Sequence, residues 1–160
     1  MTSNSNSVIL KITEYLPVVE EVLLTILAIG VILILTKIDS LIAKISLIGL
    51  AVTFFLSAYQ PLEIPKEENE KLGFLELLAF AFVPKALWIS CAISLMGILF
   101  FLSQNEGYKQ MLMIGVSTIS ISVILYSLFL LLRVKNLSNL NRILLRAIPL
   151  LLINLYLIFK

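Results

Sequence analysis

A chain of 160 residues, 60% of them apolar, with a mean hydropathy of +1.06 holds more hydrocarbon than a water-soluble domain of that size can hide. Its net charge of +2, with no basic cluster interleaved with aromatic residues, argues against nucleic acid as a partner. One cysteine, Cys91, and no histidine exclude an intrachain disulfide, the usual zinc sites, and any Ser-His-Asp or Cys-His catalytic site.

The chain opens with a Ser/Asn-rich segment, Met1–Ser7, that carries no cation and so does not read as a signal peptide. Val8–Leu16 mixes Lys11 and Glu14 with apolar residues and stops at Pro17, which predicts a short helix lying at the lipid interface. Proline suits the first turn of a helix, where its missing N–H has no partner to lose, so a first span is predicted over 18–36. Lys37–Ser40 turns the chain, and a second span covers 41–59. Gln60–Lys71 follows, with Pro61 and Pro65 around Glu63 and then Glu67, Glu68 and Glu70. Like charges packed this closely mark a solvated linker, or else a docking surface for a basic partner.

Leu72–Val83 repeats the earlier pattern, a short apolar helix bearing Glu76 and halted at Pro84. A third span, 85–102, a link at 103–109 and a fourth span, 110–132, come next. The last two charge-free runs, Ala86–Asn105 and Gln110–Leu132, reach the roughly 20 residues that a crossing needs. Arg133, Lys135, Arg142 and Arg146 then form the most cationic stretch. Beyond them 143–159, containing Pro149, is expected to make a fifth membrane helix if Arg146 snorkels to the headgroups.

Pro17 and Pro84, Gly30 and Gly97, Asp39 and Glu106, and Tyr59 and Tyr126 all stand 67 residues apart, and Gly49 matches Gly115 with a slip of one. Such self-similarity predicts a duplicated unit. The expected division is hairpin repeat 1 with its pre-helix at 1–62, an acidic cytoplasmic linker at 63–71, hairpin repeat 2 with its pre-helix at 72–132, and a basic segment with a partial third repeat at 133–160. Two spans per unit return the chain to its starting side, so both hairpins take the same orientation, unlike the inverted repeats of many transporters. Lys11, Lys66, Lys71, Lys85, Arg133, Lys135, Arg142 and Arg146 fall on one side, against Lys37, Lys44 and Lys109 on the other. The N-terminus is accordingly expected in the cytoplasm, and the chain in a bacterial inner membrane. The expected fold is all-α, a polytopic transmembrane helical bundle of two tandem same-orientation hairpins plus a fifth membrane helix.

Small residues recur at helical spacing: Gly30 on the first span; Ser46, Gly49, Thr53 and Ser57 on the second; Ser90, Ser94 and Gly97 on the third; Gly115, Thr118 and Ser122 on the fourth. Small side chains let membrane helices approach closely, so these stripes read as packing faces. The sharper reading, a permeation path lined by the same hydroxyls, lacks charges deep in the membrane. Charges instead sit near span ends. Glu21 and Lys85 lie at matching levels and form either an ion pair between the hairpins or two separate interfacial anchors, with Trp88 and Tyr59 as belt aromatics. Cys91, inside an apolar run, reads as a small buried hydrophobe rather than a reactive thiol. Neither G-x-S-x-G nor a Walker A loop occurs, so no catalytic, cofactor or metal site is expected and the chain does not read as an enzyme.

GILFFLSQNEGYKQMLMIG (Gly97–Gly115) and FFLSAYQP (Phe54–Pro61) resemble the membrane hairpin of the stator-type protein in the gliding-motility and type IX secretion motor of Bacteroidetes. The resemblance covers about forty residues per copy. It implies a two-span hairpin with a glycine-containing link and an acidic, proline-bearing tail. The family's intramembrane acid, its histidine near the link and its long coiled-coil tail are all missing, for no acid lies between Lys44 and Tyr59 or between Gln110 and Leu132. No functional residue carries over. The small-residue stripes have to bury against something, and four or five short helices cover few faces internally. This points to a structural or accessory protein, of a secretion or motility assembly if the resemblance holds, whose partners are the lipid bilayer and other membrane proteins or further copies of itself. A small oligomeric solute or ion transporter, or a proton-driven motor component, are the alternatives.

Overall fold

The computed structural model describes residues 15–26, 41–60, 77–132 and 138–159. Those residues form helices joined by turns, and no strand occurs among them. Helix α1 covers 15–26, α2 Leu41–Ser57, α3 Val83–Leu102, α4 Tyr108–Leu131 and α5 Ser138–Phe159. Helical structure over long apolar segments is what a lipid environment demands, because each backbone N–H and C=O then finds its partner inside the segment. Among the described residues the chain is an all-helical bundle with three helices long and apolar enough to cross a membrane: Leu78–Leu102, Tyr108–Leu131 and Leu140–Phe159.

The segment expected to stop at Pro84 does not stop there. Leu78–Phe82 forms a π-helical turn that runs directly into α3, with the Val83 N–H donating to the Leu78 carbonyl. A π turn holds one extra residue and loosens the ladder immediately before the proline ring, where an α-helix would clash with it. The expected interfacial pre-helix and third span are thus one element of 25 residues, Leu78–Leu102. Pro17 is helical within the described part of α1, and Pro149 is carried inside α5. Helix α5 also settles the fifth element as a full-length apolar helix. The second span is shorter than expected, since α2 ends at Ser57 and a turn follows.

Contacts define the directions. Phe101 meets Tyr108 edge-on at 5.3 Å, Gly97 packs on Leu112, and Ser94 packs on Gly115. Each step back along α3 is matched by an equal step forward along α4, the signature of an antiparallel hairpin. Helix α5 returns against α4, with Tyr126 donating to Asn141 at one level and Gly115 facing Asn154 at another. It therefore runs alongside α3, where Arg146 lies over the Trp88 ring. Helix α3 is the hub: α2, α4 and α5 all pack on it, and half of its span is buried within the chain. The core gathers Leu87, Trp88, Cys91, Leu95 and Leu99 of α3, Leu47, Leu50 and Phe54 of α2, Ile119 and Phe129 of α4, and Ile143 and Ala147 of α5.

Local chemistry closes the α3–α4 hairpin. The Gln104 N–H donates to the Phe101 carbonyl and the Asn105 N–H to that of Phe100, with Gln104 at φ 54°. That is a Schellman stop, built here with glutamine in the left-handed position that usually holds glycine. Gly107, at φ 88°, then supplies the second reversal at the N-cap of α4.

Candidate functional site

Two polar clusters lie between helices among the described residues, and neither contains Glu21 or Lys85. Glu21 and Lys85 are both exposed and do not pair. The neighbouring Glu20 is the residue turned inward: 4% exposed, it meets Arg146 of α5, with 2.9 Å between Oε1 and Nε. The reason is helical phase. Along α1, Leu16, Glu20 and Leu23 fall on the face toward the bundle, whereas Glu21 is rotated by about 100° onto the outer face. Arg146, 35% exposed in its side chain, also stacks over Trp88 with 5.6 Å to the ring centroid. The guanidinium thus bridges α1, α3 and α5 through one ion pair and one cation–π contact.

Trp88 itself is not a belt aromatic facing lipid. It is buried, and its ring lies 5.2 Å from that of Phe54 on α2. Tyr59 is exposed, as expected, and stacks edge-on with Phe55. Cys91, one turn beyond Trp88, is a free and fully buried thiol. Together Glu20, Arg146, Trp88 and Phe54 tie four helices at one level.

The second cluster sits where α3, α4 and α5 meet. Asn154 and Ser94 are both 0% exposed, and both lie against Gly115. A Cβ placed on Gly115 would collide with Ser94 Oγ and stand 3.3 Å from Asn154 Nδ2. Asn154 Nδ2 and Oδ1 and Ser94 Oγ make no hydrogen bond. Sequence reasoning passed over Asn154 because it is a single polar residue in a short terminal run. Its signal was there, however: it is the only Asn, Gln or charged residue between Ala147 and Phe159.

The other small residues behave as packing surfaces. Gly49 admits Leu23 of α1, whose Cδ2 would stand 2.9 Å from an added Cβ; Gly97 admits Leu112, at 2.8 Å. Ser46, Thr53, Ser57, Ser90 and Ser122 are buried, and each hydroxyl donates to a carbonyl of its own helix at 2.8–2.9 Å. Thr118, half-buried, does the same toward Ile114 at 2.9 Å. Gly30, the acidic linker at 63–71 and residues 1–14 lie outside the described residues, as do Arg133 and Lys135.

No family model matches this chain, and no curated protein or solved structure does either.

Proposed function

We propose that this chain is a structural or accessory subunit of a membrane assembly, packing against other membrane proteins or further copies of itself. The observation that carries this reading is the outer face of α4. Ser117 and Ser127 are exposed there between Met113, Ile124 and Leu131, and only 22% of this helix's span is covered by the rest of the chain. Both hydroxyls already donate to Ile114 and Val123 of their own helix, so small, self-satisfied residues are displayed on an apolar face. A second membrane helix can approach such a surface closely. Five of the six buried hydroxyls among the described residues bond to their own helices, which serves packing rather than an aqueous path.

On this reading the 67-residue spacing reflects a duplicated hairpin, with both copies in one orientation in a bacterial inner membrane and the N-terminus in the cytoplasm. The likeness to the gliding and secretion motor hairpin makes a secretion or motility assembly the first place to seek partners. A photo-reactive residue at position 124 in intact cells tests the idea. Adducts to a defined membrane protein, lost when Ser117 and Ser127 are replaced by Trp, are expected; adducts to lipid alone refute it.

One observation favours a second reading. The inward-facing Glu20–Arg146 pair is the kind of charge found in ion pathways, and it supports a small oligomeric transporter. Flux into liposomes that Glu20→Gln abolishes would establish that role in place of the accessory one.

A further inference from the structure

Six Ser or Thr side chains are buried among the described residues: Ser46, Thr53, Ser57, Ser90, Ser94 and Ser122. Five bond back to their own helix. Ser94 alone does not; its Oγ is turned across the helix boundary onto Gly115. Asn154 comes to that same point from α5, with both amide heteroatoms without a partner and no exposure. A primary amide held in an apolar interior without hydrogen bonds is costly, and lipid offers no water to relieve it. Both side chains lie against the single position that Gly115 leaves open, so the two unpartnered groups face the same gap.

We propose that Ser94 and Asn154 hydrogen-bond to each other across Gly115, and that this contact is a latch holding α5 onto the α3–α4 hairpin. Arg146 and Asn154 lie a little over two turns apart along α5. The latch and the Glu20–Arg146 pair therefore fasten α5 at two levels, one to α3 and α4 and the other to α1. Glycine is required between the two polar side chains because any Cβ would occupy the place where they meet.

Trp88 is the sole tryptophan of the chain and lies beneath Arg146 of α5, so its fluorescence reads whether α5 is seated. The full-length protein in nanodiscs is mixed with phosphatidylcholine brominated in its acyl chains, which quenches tryptophans exposed to lipid. Ser94→Ala and Asn154→Leu are each expected to raise quenching at least two-fold. The double variant is expected to show no more than the larger single effect, because both remove one contact. Ser122→Ala, which removes a hydroxyl bonded only within α4, is expected to leave quenching unchanged. An unchanged Ser94→Ala protein overturns the latch whatever Asn154→Leu does, since loss of one oxygen leaves the fold intact. Effects that multiply in the double variant, or a Ser122→Ala effect as large as that of Ser94→Ala, overturn it equally.

Discussion

At the residue scale, the three helical glycines face different neighbours, and the difference ranks their replacement. A methyl at Gly49 meets the terminal Cδ atoms of Leu23, which can swing aside. At Gly97 it meets Leu112 Cδ2 and also that residue's backbone N at 3.2 Å, and at Gly115 it lands on Ser94 and Asn154. Gly97→Ala and Gly115→Ala should each cost about 1–3 kcal/mol, as overpacking does, while Gly49→Ala should be nearly neutral. Thermal unfolding in detergent micelles measures the order, and a Gly49→Ala penalty as large as the others defeats it. The Glu20–Arg146 pair supports a second expectation. Losing either partner should cost about 2 kcal/mol, below the ~3–5 of a fully buried pair because Arg146 is partly exposed. Glu20→Gln with Arg146→Met should cost clearly less than the two single losses added together; additive losses would show that the charges do not interact. The same comparison on Glu21→Gln and Lys85→Met should show no coupling.

At the scale of elements, the stop between α3 and α4 invites improvement. Gln104 holds a left-handed conformation that glycine adopts without penalty, so Gln104→Gly should stabilise the hairpin by about 0.5 kcal/mol. A lower melting temperature for that variant would mean that the Gln104 side chain itself supports the link. Gly107→Ala, at φ 88°, should do the opposite by about 1 kcal/mol. The proline positions show how far local rules reach. Pro17 was expected to open a helix; it is helical, and the residues before 15 lie outside the described ones. Pro84 was expected to end a helix and instead follows a π turn within one. A proline forbids one regular hydrogen-bond pattern; it does not say whether the chain answers with a break or a bulge.

For the molecule as a whole, the five helices among the described residues, with α3 as their hub, imply a definite sidedness. If α3 and α4 both cross and α5 crosses after them, the α3–α4 link and the C-terminus share one face of the membrane. In a Cys91→Ala background, Glu106→Cys and Lys160→Cys should both react with an impermeant maleimide from outside the cell. Labelling of position 160 only after lysis would leave α5 uncrossed and would break the proposed orientation. Its two fasteners on the bundle predict that α5 is an integral part of the fold rather than an arm lying on the surface.

Hydropathy and run length determined by themselves that this chain folds as apolar helices, because lipid leaves the backbone no other way to satisfy its hydrogen bonds over such segments. Small-residue spacing likewise marked Gly49, Gly97 and Gly115 as contact points, since a missing side chain is a local property. Pairing was beyond its reach. Glu20 and Glu21 are chemically alike and adjacent, and only the rotation of α1 against its neighbours decides which one meets Arg146. Ser94 and Asn154 are 60 positions apart, and they become partners only because α5 folds back beside α3. Which polar groups must answer one another inside the membrane depends on which helix faces come together, and three-dimensional packing alone settles that.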